Sequence, residues 1–523
     1  MLRQARSQPT RSGDVTGLPA DRVDIAEDHV LDCLRVDPGA IEEGRDARSP
    51  KVGWVDMGQP TSSLPGGGAN CVDDVGLRHG ASVSKTIGAI PATLRNTGVE
   101  ELEPLQPERR TKAAPVAPVQ SPAMGESADD FRTKVRTWYE AHATRRSTAD
   151  PWAVGVQIDP GDAAAHFEAC RRWQRRLYDA GFMGIAWPSE FGGGGGAASM
   201  SRIERDIARD YEEGTGFVGA STAMLGPALL RHGTDTQKRV FLPKLLSAEL
   251  TFCQLFSEPG AGSDLASLAT QANRDGDEFV VNGQKVWNSA AQHADWAFLL
   301  VRTNPDAPKH RGITFLLVDM ATPGIEVRPL IQINRSAHFN EVFLSDVRIP
   351  VANVVGEIDG GWAVARTVLA NEAAFIGGGP KAPASENLRT LAEHTGQSTD
   401  ARIRQELAAI ISRERIAGWM GEHVQQAIRR GDMPSIDPGL IKLMTAQTRV
   451  RTGNLAMKLQ GPAAACGETS QTRWSQTELF GRFSISIGGG TNEVLRNNLG
   501  ERALGLPREP GFAADRPWRD IPR

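Results

Sequence analysis

The chain has 523 residues, with 63 acidic against 59 basic side chains and a formal net charge of −4. It is too long for one simple core and too evenly charged to present an electrostatic footprint for nucleic acid or an acidic membrane. No stretch reaches about 18 consecutive apolar residues, which argues against a transmembrane helix, and the start MLRQARSQPTRSGD lacks the apolar core of a secretory signal.

Asp14, Asp21 and Asp24 argue against reading the early arginines as an organelle transit sequence, so a cytoplasmic location is expected. Cys33, Cys71, Cys170, Cys253 and Cys466 are scattered, with no CxxC or His-rich spacing. They indicate neither a disulfide framework nor a metal site, and isolated buried thiols are expected.

Residues 1–125 carry turn clusters such as SSLPGGGAN and the Pro/Ala run KAAPVAPVQSPA, with little sustained periodicity. They are expected to be a largely disordered extension, or the product of a start codon placed too early. Residues 126–250 read as a helical domain. SADDFRTKVRTWYEAHA offers a capping Ser127, acidic first-turn residues, and Phe131, Val135 and Trp138 on one face. Phe167, Cys170, Gln174 and Leu177 repeat the helical spacing, with Gly181 as a stop, and ERDIARDYEEG, STAMLGPALLRHG and TQKRVFLPKLLSAE continue it.

Over residues 251–356 the period switches from 3.6 to 2. DEFVVNGQKVWNS reads as two β runs separated by Asn282-Gly283, a strong hairpin signal. DWAFLLVRT, GITFLLVDM, GIEVRPL and NEVFLSDVRIP follow at regular intervals and predict a small antiparallel sandwich or barrel. The helical period returns over 357–508, which reads as a helical bundle, and 509–523 as a tail. The whole is an α+β multidomain protein.

Four segments carry candidate chemistry. In GGWAVARTVLANEAAFIGGGP, Trp362, Ala365, Leu369, Glu372 and Ile376 share one helix face. A carboxylate in that seam is either solvated, with the stripe off by one face, or buried at a cost of several kcal/mol, with its pKa raised towards that of a useful base. FCQLFSEPGAGSDLAS has Gly260 and Gly262 for close backbone approach, with Ser257, Ser263 and Asp264 as polar groups, or is an ordinary loop. It is no Rossmann fingerprint, for it lacks the strand–turn–helix context. KVWNSA ends a strand with Trp287, Asn288 and Ser289, where a Trp serves the core or a cofactor. Gly488 to Gly490 precede Thr491 and a helical run, which suits an anionic group or a plain turn.

In order and at these distances, SEPGAGSD, NGQKVW and GGTNEVLRN resemble the acyl-CoA dehydrogenase family of flavoproteins, over about residues 127–508. CQLFSEPGAGSDLA and KHRGITFLLVDM are similar to a bacterial branch, some of whose members act on bulky acyl-CoA esters, including steroid side chains. The resemblance implies an N-terminal helical domain, a central β domain and a C-terminal four-helix bundle. It also implies bound FAD, an acyl-CoA thioester substrate oxidised between its α and β carbons, electron-transfer flavoprotein as acceptor, and a dimer or tetramer of like or unlike chains.

By the same resemblance Phe256, Ser257, Trp287 and Ser289 line the flavin ring, and Ser263 lies near the flavin and the CoA side. Gly461 is a cofactor contact, while Thr491 and Glu493 lie near the ribityl and adenosine parts. A backbone N–H around Gly489 joins a ribityl hydroxyl in binding the thioester oxygen. Many members carry the base directly before the Gly-Thr pair, where this chain has Gly489; a minority carry it on the first C-terminal helix, two turns before Gly-Gly-Pro. Glu372, before Gly378-Gly379-Pro380, is in register with that minority.

Three departures stand out. Ala373 occupies a position that is commonly Arg, no Arg-x-x-Phe-Gly segment follows Pro380, and the Leu-Gly-Gly contact appears as LQGPAAACG. A non-catalytic partner subunit and a related flavin monooxygenase or oxidase are therefore the alternatives.

Overall fold

The computed structural model describes residues 126–146, 152, 162–377, 383–430, 432, 437–508 and 515–521, without the side chains of 373–377, 428, 429 and 438. The expected extension over 1–125, the Gly378-Gly379-Pro380 motif and the side chains of Ala373 and Ile376 lie outside the described residues.

Among the described residues, five α-helices come first: α1 (Ala128–His142), α2 (Ala163–Asp179), α3 (Ala198–Ala208), α4 (Gly216–His232) and α5 (Asp235–Leu246). Ser127 caps α1 by accepting from the Asp130 N–H at 3.1 Å. The buried face of α1 is Phe131, Val135 and Tyr139, with Trp138 half-buried at its edge. All four stripe residues expected on α2 are buried, and Gln174 there donates to Thr222 of α4 at 3.1 Å and to the Leu245 carbonyl of α5 at 2.9 Å. Thr234 and Gln237 form a reciprocal capping box that starts α5.

Tyr139 of α1 donates to Glu204 of α3 at 2.6 Å inside this domain. Burial pushes the Glu204 carboxyl up to about 7, against the Tyr139 hydrogen bond and nearby Arg205. A carboxyl with a raised folded pKa keeps a proton that the unfolded chain releases, so stability falls as pH rises from about 4.5 to about 7. Glu204→Gln keeps the acceptor for Tyr139 and removes the titration. Thermal midpoints measured from pH 5 to 8 will flatten, with a gain at pH 8 of about 1–3 kcal/mol. An unchanged pH slope in the variant contradicts this assignment.

Seven strands follow: β1 (Phe252–Leu255), β2 (Gln271–Asp275), β3 (Glu278–Val286), β4 (Trp296–Arg302), β5 (Ile313–Asp319), β6 (Ile325–Leu330) and β7 (Phe339–Pro350). They form one sheet in the order β1-β4-β2-β3-β7-β6, with β5 also on β4. Most pairs are antiparallel, while β1 and β2 run parallel to β4. The hairpin expected at Asn282-Gly283 is not there. Both residues lie inside β3, at a register shift against β7, and the turn falls earlier, at Gly276 with φ +62°. The glycine serves a close approach instead: a Cβ on Gly283 would stand 2.5 Å from the Thr270 hydroxyl oxygen.

Period-2 alternation sends β4 and β5 into two cores. Phe298, Leu300, Phe315 and Leu317 face α4 and the helix after the sheet, whereas Leu299, Val301, Leu316 and Val318 face Val342, Leu344 and Val347 of β7. That next helix is α6 (Gly361–Gly377), followed by α7 (Ala384–His394), α8 (Ala401–Arg430) and α9 (Pro438–Gln460). The chain then makes α10 (Ala463–Cys466), α11 (Ser470–Gly481), α12 (Ser484–Ile487) and α13 (Asn492–Asn498). Helix α9 is the central rod of the bundle: Leu455, Ala456 and Leu459 join Leu388, Leu391, Ile403, Ile410 and Trp474 in one core.

Part of the expected tail is packed on the sheet domain. The Trp518 and Arg519 N–H groups donate to the Ala307 and Pro305 carbonyls at 2.9 and 3.1 Å, and the buried indole sits 4.6 Å from the Arg302 guanidinium. Cys170 and Cys253 are buried thiols, but Cys466, expected inside, is exposed. No described helix is long and apolar enough to cross a membrane.

Candidate active site

Helix α6 starts hard against the sheet, because Gly361 has no side chain: a Cβ there would lie 2.5 Å from the Phe315 nitrogen. Val364, Ala365 and Val368 then bury into the first core, flanked by Trp362 and Leu369. One turn further the same face brings in Glu372, partly buried. Its Oε2 accepts a hydrogen bond from Nε2 of Gln254, on β1, at 3.3 Å. The Gln254 carbonyl in turn accepts from the Asn288 amide at 2.7 Å. Burial raises the Glu372 pKa above the ordinary carboxylate range, while Gln254 and the charge of Lys442 pull it back.

Lys442 is a buried residue of α9. Its Nζ donates to the Ile485 carbonyl at 3.1 Å and to the Gly490 carbonyl. Lys442 thus bonds to the glycine turn and acts on Glu372 through its charge. Gly489 and Gly490 have φ of +64° and +90°, the left-handed region that glycine allows without strain. Among the described residues the Gly489 N–H has no acceptor.

The SEPGAGSD segment is fixed to β3 by a buried ion pair. Lys285, with 0% of its side chain exposed, meets Glu258 at 2.8 Å and also donates to the Phe256 carbonyl at 3.0 Å. Glu258 accepts from the Ala269 and Thr270 N–H groups at 2.7 and 2.9 Å. Burial raises its carboxyl, but the Lys285 charge and these hydrogen bonds outweigh that and hold it below its usual range.

Of the residues implied by resemblance, Phe256 has its ring in the core, edge-on to Phe298 and Phe315, so its backbone alone faces the loop. Ser257 is half-buried and its carbonyl accepts from Val286 at 2.9 Å, which brings it beside Trp287. Trp287 is 60% exposed at φ +64°, an uncommon conformation for a bulky residue, and meets Phe339 edge-on at 5.8 Å. Ser289 is half-buried beyond it, and Ser263 is exposed. Thr491 caps α13 through the Val494 N–H at 3.2 Å. Exposed Glu493 pairs with Arg496 at 3.0 Å, and Gly461, at φ +59°, ends α9. Neither shares a hydrogen bond with the Glu372 group.

Gln254, Lys442, Glu258 and Lys285 were not singled out as site residues by sequence reasoning. Lys442 had a signal: it shares a helical face with Ala446 and Gly453, the same pattern of a charge in a buried stripe that marks Glu372.

The residues present fit a flavin. Ser486 Oγ and Asn492 Oδ1 are buried without a partner on either side of the glycine turn, and a large exposed aromatic, Trp287, directly follows β3.

Comparison with known proteins agrees in all three parts. The acyl-CoA dehydrogenase N-terminal, middle and C-terminal domains match residues 126–249, 253–347 and 359–504. The acyl-CoA dehydrogenase IpdE1 of Mycobacterium tuberculosis is 37% identical over 396 residues, covering 73% of this chain and 99% of its own. The solved Tcur3481-Tcur3483 steroid ACAD is 28% identical with a TM-score of 0.60, over 73% of this chain and 99% of its own. The ChsE4-ChsE5 complex from M. tuberculosis is 29% identical with a TM-score of 0.57, over 74% and 100%. In fold and sequence alike, this chain belongs to the acyl-CoA dehydrogenase family, whose members are FAD-dependent flavoproteins.

Proposed function

We propose that Glu372 is the base in an α,β-dehydrogenation of an acyl-CoA thioester, with the glycine turn at 488–490 binding the thioester oxygen. The observation that carries this reading is a half-buried carboxylate on α6, held by Gln254 and raised in pKa by burial, that feels the charge of the lysine bonded to that turn. The α-C–H bond breaks with its proton going to a Glu372 carboxylate oxygen, and a C=C bond forms as hydride leaves the β-carbon. Bound FAD supplies the hydride acceptor. Desolvation makes Glu372 a stronger base than an exposed carboxylate, and Gln254 fixes which oxygen is free. The Gly489 N–H favours the negative charge that develops on the thioester oxygen. Phe256 and Ser257 through their backbone, with Trp287, Ser289 and Ser263, hold the flavin side; Thr491, Glu493 and Gly461 hold its remainder.

The acyl group we propose is bulky and ring-bearing, on the strength of the steroid ACAD that this chain resembles. Electrons leave to an electron-transfer flavoprotein in the cytoplasm. Trp419, Phe483, Ile487, Leu504 and Leu506 are exposed apolar side chains that suit burial against a like or unlike second chain. Anaerobic addition of straight, branched and steroid-side-chain CoA thioesters to the yellow protein tests the reading. The ring-bearing esters are expected to bleach the flavin fastest and yield 2-enoyl-CoA. Retained colour with every thioester overturns the assignment.

A further inference from the structure

We propose that Lys442 is a positioning residue of the glycine turn: its ammonium fixes the carbonyls at the two ends of the 485–490 segment and supplies the cation that acts through space on the Glu372 carboxylate. This inference rests on the reading of Glu372 as the base.

A lysine with 4% of its surface exposed is expensive to desolvate unless its donors are used. Both of its hydrogen bonds go to carbonyls, those of Ile485 and Gly490. Those bonds use two of its three donors and leave its charge to be balanced through space. Glu372 is the carboxylate that acts on it, lifting its pKa against a larger lowering by burial. The helix that carries it is packed closely on α11: a Cβ on Gly453, about three turns along, would stand 2.8 Å from the Glu478 carbonyl oxygen. A short turn whose two ends are held by one anchored cation presents the N–H groups between them in a fixed direction. The same cation stabilises the ionised base before substrate arrives. The polar group hydrogen-bonded to Glu372 is neutral Gln254, on β1; on α4, His232 bonds to Thr367 of α6, more than a turn before Glu372.

Three variants of the full-length, flavin-loaded protein separate the two roles. Lys442→Met removes charge and donors, Lys442→Gln keeps donors without charge, and Lys442→Arg keeps charge. In Lys442→Met, kcat falls on the order of 10²-fold, amide exchange over 485–491 rises about tenfold, and the ascending limb of kcat/KM against pH moves to higher pH. The direction follows because loss of a nearby positive charge raises the carboxyl pKa. Lys442→Gln moves the limb with less change in exchange, and Lys442→Arg brings the limb back. A limb that stays put in both neutral variants overturns the inference, even if kcat and melting temperature fall together. If Lys442→Met does not fold, the Gln and Arg pair decides alone. Glu372→Gln measured alongside distinguishes the failures. An active Glu372→Gln enzyme removes the base reading; an inactive one beside an unmoved limb removes only the role of Lys442.

Discussion

Glu372→Gln will leave a folded, yellow protein whose dehydrogenation rate is down on the order of 10³-fold. The amide has the volume of the carboxyl and remains within reach of Gln254, so shape and flavin contacts are kept. What disappears is the ability to take a proton from carbon. Because burial holds the carboxyl above its ordinary range, the wild-type rate rises with pH through that elevated pKa, and the variant shows no such limb. The exchange also removes a partly desolvated charge, so the melting temperature is expected to hold or rise, as is common where an active site trades stability for function. Glu372→Asp retains the acid but draws it back by one methylene, and falls between the two. Stopped-flow reduction with a bleaching thioester measures all three enzymes. A Gln variant within tenfold of wild type sinks the role given to Glu372.

The three-part fold was legible because the hydrophobic period changes twice, and periodicity reports which face a backbone buries. The four segments read as strands from Asp295 onward and the β runs around Asn282-Gly283 lie in the sheet, while ERDIARDYEEG, read as helical, leaves its helix at Ala208. Asn282-Gly283 was misread for a physical reason. The dipeptide permits a turn but also permits a bulge, and the choice is made by Thr270, which lies across the sheet. Trp138 and Tyr139 show a milder form of the same limit, since α1 rotates by one position when Tyr139 finds Glu204 on α3.

Around the candidate site, motif order identified the loops but not what braces them. Lys285 sat inside the quoted NGQKVW, yet its significance comes from Glu258, 27 positions away, and that of Lys442 from Gly490, 48 positions away. Local pattern carries no information about pairs at such separation. Likewise nothing in RPWRDIP says that Trp518 lies under Arg302.

Lys285→Met will be the most destabilising of the single changes considered, at about 3–5 kcal/mol. The pair it breaks lies wholly inside the sheet domain, where Glu258 has 8% of its surface exposed and Lys285 none. Removing the cation leaves a carboxylate whose low pKa depended on that cation, with two backbone N–H groups as its remaining partners. The variant protein must then carry a poorly compensated buried charge or protonate Glu258. Protonation transfers the cost to pH: the variant gains stability as pH falls, where the wild type loses the contribution of a carboxylate held below its unfolded pKa. The change also frees the Phe256 carbonyl, so the loop beside Trp287 loosens and flavin is released more readily. Adding Glu258→Gln to Lys285→Met should recover part of the loss, because a neutral amide still accepts from Ala269 or Thr270 without an orphaned charge. The comparison is a double-mutant cycle by chemical denaturation at two pH values, with flavin retention followed in parallel. A single Lys285→Met within about 1 kcal/mol of wild type would mean that the pair is bystander packing, and that the loop draws its rigidity from the Val286–Ser257 backbone bond instead.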